Sequence, residues 1–288
     1  MENIALIDID SKIPNIALMK LSAWHKARGD KVGWWCGQLF NGYYDKAYAS
    51  KIFDFSQMPE GMPENVEIGG SGYDLKKRLP PAIERLCPDY DLYPDCDYSI
   101  QRFHVGCIRK CDFCIVNQKE GNIKPVKPME LNPKGKYIRV IDNNFFSNPR
   151  WKDAIKYLQD KKQPICFDGI DARILTEEHA RALNSFKLYK RIHMAWDNPD
   201  DHINWGQITT WIKAYKIMVY VLIGYNSTEE EDLYRVEMLR EMKIDPFVMP
   251  YDKSDPYQRK FARWVNRKAI FKSVKWEDYS NKQKTRKR

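Results

Sequence analysis

The sequence has no apolar run near the roughly 20 residues that a membrane-spanning helix needs. Its first residues also lack the basic-then-apolar order of a secretory leader. Both absences predict a cytoplasmic protein with no membrane partner. No paired cysteine framework is visible either: the seven cysteines are odd in number, and Cys36, Cys87, Cys96 and Cys166 stand apart. That argues against a secreted disulfide scaffold and for a reducing compartment. A nucleotide-binding glycine fingerprint is missing too. Gly69-Gly70-Ser71-Gly72 has the wrong spacing and reads as a tight turn ending a strand, although such amides can also cradle a phosphate.

What is present suits a packed globular protein. The 288 residues include 13% aromatics and nine tryptophans, enough for one large domain or two ordinary ones. The formal charge of +9 is concentrated at the end, where Lys282, Lys284, Arg286, Lys287 and Arg288 fall within the last eight residues. Such a tail reads as a solvated end that would strengthen any phosphate contact. It makes nucleic acid a conceivable partner without specifying one.

Apolar runs and helix signals alternate along the chain. Strands are predicted at Ile4 to Ile9, Lys31 to Trp35, Tyr48 to Phe53 and Val66 to Gly69, with a helix opening at Pro14 and stopped by Gly29. Strand, helix, strand is the start of a parallel α/β domain. Pro80-Pro81 allows only pieces of helix between Asp74 and Leu86, and Pro88 to Pro94 reads as a linker. Further strands are expected at Tyr98 to Phe103, Lys136 to Ile141, Pro164 to Phe167, Leu188 to Ala195, Met218 to Ile223 and Pro246 to Met249. Helix starts lie between them at Asn148-Pro149, at Thr176-Glu177-Glu178, and at Ser227 with Glu230 as a capping box. Six strands joined by crossovers of this length predict an open (β/α)6 barrel of TIM type.

The densest chemistry is Cys107-Ile-Arg-Lys-Cys111-Asp-Phe-Cys114, on the loop after the first of those six strands. Three thiolates so close can bind one metal centre, one ligand short of a closed tetrahedral site. The cysteines alone would equally suit a zinc site completed by His104, or three buried thiols.

At these residues the chain resembles the radical S-adenosylmethionine superfamily, whose signature is three cysteines at this spacing with an aromatic residue before the last. The six-strand layout extends the resemblance over about Asp97 to Tyr251. It implies a [4Fe-4S] cluster on Cys107, Cys111 and Cys114, with S-adenosylmethionine on the remaining iron and Phe113 against its adenine. The implied activity is reductive cleavage of that cofactor to a 5′-deoxyadenosyl radical, which abstracts hydrogen from an unknown substrate. The implied partner is a reductant such as flavodoxin or ferredoxin.

Site residues follow from the same resemblance, read at strand ends. Asp142, Asn143 and Asn144 replace a Gly-Gly-Glu-like stretch and would hold the cofactor amino group, or they are ordinary turn formers. Read from the residues themselves, Asp171 and Arg173 suit a cofactor carboxylate or a polar substrate, or form a local ion pair. Asp197 would contact ribose, Ile223 and Gly224 would flank adenine, and Met249 would close the pocket or serve as core filler. His193 reads as a core histidine.

The first part, to about Cys87, resembles the cobalamin-binding-like domain that precedes the radical domain in many members. Asp8-Ile-Asp10-Ser-Lys-Ile-Pro14 lacks the histidine and glycine of the Asp-x-His-x-x-Gly motif, and His25 does not match. A degenerate domain without cobalamin is therefore expected. The expected division is 1–95 for that domain and linker, 96–254 for the radical domain, and 255–288 for a terminal helix and basic tail. In the last segment Tyr257, Phe261, Trp264 and Val265 approach helical spacing among Arg259, Lys260, Arg263, Arg267 and Lys268. This pattern suits a capping helix, or a grip on a nucleic-acid backbone. The cysteine loop is also compatible with methylthiotransferase-like modification of tRNA or protein, and with a non-catalytic iron-sulfur or zinc module that binds nucleic acid.

Overall fold

A computed structural model describes residues 1–281, with the side chain of Asn281 excepted. The basic tail therefore lies outside the described residues. By contacts the chain divides into two compact units, Met1–Ile100 with Val105–Lys136, and Gln101–His104 with the chain from Tyr137 onward. The cysteine loop thus groups with the first unit. No helix among the described residues is long and apolar enough to cross a membrane.

The first unit is built on four strands, β1 (Asn3–Asp8), β2 (Lys31–Trp34), β3 (Lys46–Ser50) and β4 (Val66–Gly69). They lie in the order β2-β1-β3-β4 and every neighbouring pair is parallel. Helix α1 (Ile16–Ala27) forms the crossover from β1 to β2; Asn15 Oδ1 accepts from the amides of Ala17 and Leu18 to cap it. Leu18, Met19 and Leu21 of α1 and the run Ile4 to Ile7 of β1 are buried, each of the large side chains among them worth about 1.5–3 kcal/mol of apolar burial. The expected turn after β4 is formed, and Gly70 is required there: its φ is +95°, and a Cβ would lie 2.2 Å from the carbonyl oxygen of Lys51. Between Asp74 and Leu86 only Pro81–Glu84 is helical, as the two prolines dictate.

The strand Tyr98–Gln101 ends at the boundary of the units; within the second unit, Gln101 accepts from the Ile141 amide at 3.0 Å. The following strands are β5 (Tyr137–Val140), β6 (Ile165–Phe167), β7 (Ile192–Trp196), β8 (Ile217–Ile223) and β9 (Asp245–Pro250). Pairing is parallel from β5 to β6 and from β7 through β8 to β9. Between β6 and β7 there are only two isolated parallel bridges, Ile165 to Leu188 and Ile170 to Met194. Spatial order follows chain order, as the alternation predicts. The fold is mixed α/β with parallel sheets, and no closed barrel is formed among the described residues.

Alternation along the strands separates two faces. Ile138, Val140, Ile165, Phe167, Ile192, Met194, Trp196, Ile217, Val219, Val221 and Val248 are buried on one side. Arg139, His193, Ala195, Met218, Tyr220, Phe247 and Met249 lie on the other, which is partly open. Helix α2 (Trp151–Lys161) follows β5, α3 (Glu177–Asn184) follows β6, α4 (Trp205–Trp211) follows β7 and α5 (Glu229–Glu241) follows β8. Thr176 caps α3 as expected, but α5 is capped by Thr228 with Glu231, one residue later than Ser227 with Glu230. The terminal apolar face is realised, with Phe261, Trp264 and Val265 buried. The single helix expected there is two, α6 (Pro256–Asn266) and α7 (Lys268–Ser273), followed by α8 (Trp276–Asn281). Asn266 breaks it by exchanging two hydrogen bonds with the backbone of Val248 on β9.

Candidate functional site

In the first unit, the cysteine loop turns at Gly106, where φ is +80° and a Cβ would lie 2.5 Å from the Asn122 carbonyl oxygen. The Gly106 amide donates to Glu120 Oε2 at 2.8 Å, which ties the turn to the short helix Val116–Glu120. Cys107, Cys111 and Cys114 are half-buried, and none of the seven cysteines is in a disulfide. Cys111 and Cys114 line an open depression of about 420 Å³ with Lys110, Asp112, Asn117 and Gln118. The Arg109 amide donates to Cys107 Sγ at 3.4 Å. Arg109 and Lys110 stand in the same loop. Phe113 is half-buried between the last two cysteines.

A tetrahedral zinc with bonds of about 2.3 Å would draw its sulfur ligands to ~3.8 Å of one another. Among the described residues, the one group of three His, Cys, Asp or Glu whose ligand atoms lie mutually within 4.8 Å is Glu2, His25 and Asp30. The three thiols are therefore not gathered at zinc spacing. His104, the suggested fourth ligand, is fully buried in the second unit with Nδ1 2.6 Å from Asp142 Oδ1.

At the carboxyl ends of the second unit's strands, the polar residues have distinct environments. Asp142 is buried, and its Oδ1 accepts from the amides of Phe103 at 3.0 Å and His104 at 2.8 Å. Its carboxylate is thus committed to holding the segment before the cysteine loop. Asn143 is exposed. Asn144 is buried and donates to Asp171 Oδ2 at 3.1 Å, while its own Oδ1 has no hydrogen-bond partner. Arg173 binds Asp171 through Nε at 2.8 Å and Asp201 through Nη1 at 3.1 Å. Burial opposes the guanidinium charge, but these two carboxylates outweigh it and raise the Arg173 pKa. The ion pair considered from sequence is formed, and it extends to Asp201, which was not foreseen.

Asp197 shares this rim. Burial pushes its carboxyl up to about 6, against the pull of Arg173. By linkage, between the ordinary carboxyl value and 6 the folded chain holds a proton that the unfolded chain has lost, so stability falls as pH rises through that window. Asp197→Asn should therefore be more stable than the parent at pH 7, by up to ~3 kcal/mol. The gain should vanish near pH 4 in denaturant unfolding, and an equal gain at both pH values would contradict the shift.

Ile223 is buried, with its carbonyl accepting from the Tyr251 amide at 3.1 Å. Gly224 has φ +73°, and a Cβ there would meet Gln258 Nε2 at 2.1 Å. Met249 is not core filler, being 45% exposed.

The open face of the sheet carries a cluster that sequence reasoning did not assemble. Arg139 Nε donates to Asp168 Oδ2 at 2.5 Å, Cys166 Sγ lies 3.5 Å from Asp168 Oδ1, and His193 Nδ1 lies 3.6 Å from the same oxygen. His193 meets the Tyr220 ring edge-on at 5.6 Å. Burial would raise Asp168, but bonding to His193 and the charge of Arg139 hold it below the usual range. Burial and Asp168 push the Cys166 thiol up to about 12, keeping it protonated. His193 is therefore a partly exposed partner of Asp168 and not a sealed core histidine. The signal available was parity: residues 139, 166, 168, 193 and 220 share one face once strand registers are fixed. No protein-family model matches the chain and no curated protein matches it, so its function must be argued from the three-cysteine loop and the polar residues of the parallel sheet.

Proposed function

We propose that the protein is a radical S-adenosylmethionine enzyme in which Tyr98–Gln101 and the strands β5 to β9 make a partial (β/α)6 barrel. The observation that carries this is the three-thiol loop with its backbone donor on Cys107 Sγ, standing after the strand Tyr98–Gln101, which neighbours β5 in one sheet. Cys107, Cys111 and Cys114 would hold a [4Fe-4S] cluster, a soft-ligand group that three thiolates suit. When bound, the cluster would supply the electron needed to cleave S-adenosylmethionine to methionine and a 5′-deoxyadenosyl radical.

The chain's own residues then have defined work. Asn144 Oδ1, buried and unpartnered, is the better acceptor for the cofactor ammonium than Asp142, whose carboxylate is engaged by backbone amides. Arg173, anchored by Asp171 and Asp201, orients the rim. Asp197 accepts from ribose hydroxyls, and the backbone of Ile223 and Gly224 at the end of β8 flanks adenine, Gly224 being required there by the close approach of the Gln258 side chain. On the open face, Arg139, Asp168, His193 and Tyr220 orient a polar substrate and handle its protons.

A reductant such as flavodoxin or ferredoxin would supply the electron. The test is anaerobic reconstitution with iron and sulfide, then dithionite and S-adenosylmethionine, with 5′-deoxyadenosine as the readout. Zinc retention without a cluster would overturn the proposal.

A further inference from the structure

The first unit places an unusual surface at the carboxyl ends of its parallel strands. The segment after β3 exposes Phe53 and Phe55, whose rings stack at 5.3 Å and 23°, and the segment after β4 exposes Tyr73. Phe55 is 67% exposed and Tyr73 56%. Their positions are fixed by backbone contacts between the two segments: the Gly72 amide donates to the Lys51 carbonyl at 3.0 Å, and a Cβ on Gly72 would lie 2.4 Å from the Phe53 backbone. Side chains cannot be inserted between these loops, so the aromatic rings are held on a rigid base.

Basic residues surround the rings. Lys76, Lys77 and Arg78 follow Tyr73 on the surface, and Lys119 Nζ reaches Ser71 Oγ at 3.5 Å. Three nearby carboxylates, Asp10, Asp54 and Asp74, are turned toward backbone. Asp10 accepts from the amides of Ile52 at 2.7 Å and Phe53 at 2.9 Å. Asp54 accepts from Phe55 and Asp74 from Lys76. Glu67 Oε1 lies 3.4 Å from Lys77 Nζ and Arg78 Nη1 donates to the Leu75 carbonyl, while Lys76, Lys77 and Arg78 all stay exposed.

We propose that this edge binds single-stranded nucleic acid, with bases stacking on Phe53, Phe55 and Tyr73 and phosphates meeting Lys76, Lys77, Arg78 and Lys119. Exposed flat rings beside cations form the combination that single strands recognise, because every base has a π-face and every linkage a negative charge. The carboxyl end of a parallel sheet is also where α/β units place ligands. The surface does not depend on the cysteine loop holding a cluster, so it stands or falls separately from the proposed radical chemistry.

The probe is a fluorescently labelled mixed-sequence 20-nucleotide RNA, titrated with the full chain at about 50 to 200 mM salt. Its background is a full-length variant in which the five basic residues of 282–288 are glutamine. Phe55→Ala and Tyr73→Ala should each weaken binding about tenfold. Lys76→Gln and Lys77→Gln should each lower the slope of log affinity against log salt by ~0.7. Unchanged circular dichroism and melting would show that the exposed substitutions leave the fold intact. Absence of binding would overturn the proposal. So would binding that ignores the aromatic substitutions and follows only charge, which would mark a generic polyanion surface.

Discussion

Cys111→Ala should lose cluster incorporation and bring 5′-deoxyadenosine to background after reconstitution, while Cys36→Ala behaves as the parent. Cys111 is the middle thiol of the loop and lines its open depression. Its removal would leave two thiols, too few for the proposed cluster, which would need every ligand the loop offers. Cys36 is exposed on the segment after β2 and has no neighbouring cysteine in sequence. Iron, acid-labile sulfide and product are to be measured on the same samples, with zinc determined in parallel. Product that survives in Cys111→Ala would remove the loop from the chemistry.

The second large effect is on stability. Asp232→Ala should destabilise the second unit by about 3–5 kcal/mol, because it leaves the Arg235 guanidinium buried and uncompensated. Arg235 and Asp232 are each 1% exposed at the side chain, and Nη2 donates to Asp232 Oδ1 at 2.7 Å. The same guanidinium donates to the carbonyls of Trp196 at 2.9 Å and Leu222 at 2.8 Å, linking the ends of β7 and β8. Burial works against both charges, raising Asp232 and lowering Arg235. The pair is therefore expensive to break yet weakly stabilising as a whole. Asp232→Ala combined with Arg235→Met should be less damaging than Asp232→Ala alone, as a double-mutant cycle in denaturant would show. A cost below about 1 kcal/mol for Asp232→Ala would mean that water reaches Arg235.

The elements were legible because burial imposes period two on strands and capping marks helix starts. Ile192 to Trp196 reads as a strand from its apolar residues alone, but nothing in that pattern says which face opens to solvent. Hence the sequence pattern makes His193 a core residue, and only the fold sets Asp168 beside it. The cap of α5 was misplaced by one residue because Ser227 and Thr228 each have a glutamate three residues on. The structure decides between them: Ser227 Oγ accepts from the Gly224 amide at 3.1 Å, and Thr228 is left to cap. Asp142 illustrates another limit. A carboxylate at a strand end invites a ligand role, but the amides that occupy it belong to Phe103 and His104, 39 and 38 positions away. Arg173 was legible as a partner of Asp171, two residues earlier, whereas Asp201 required the fold.

The junction between β6 and β7 has a mechanical consequence. Its two bridges, Ile165 to Leu188 and Ile170 to Met194, advance five residues on one strand and six on the other, so the registers cannot be joined by regular pairing. Gly169 lies inside this mismatch, with its Cα so close to the Asp142 carbonyl that a Cβ would be 2.4 Å away. The sheet is accordingly two plates with a seam between them. Amide hydrogens along that seam should exchange with solvent before those of β8, whose neighbours pair on both sides. Strain applied to the strand ends would be relieved there first, and the Arg173 to Asp201 ion pair, which crosses the seam, is the tie that resists it at the rim.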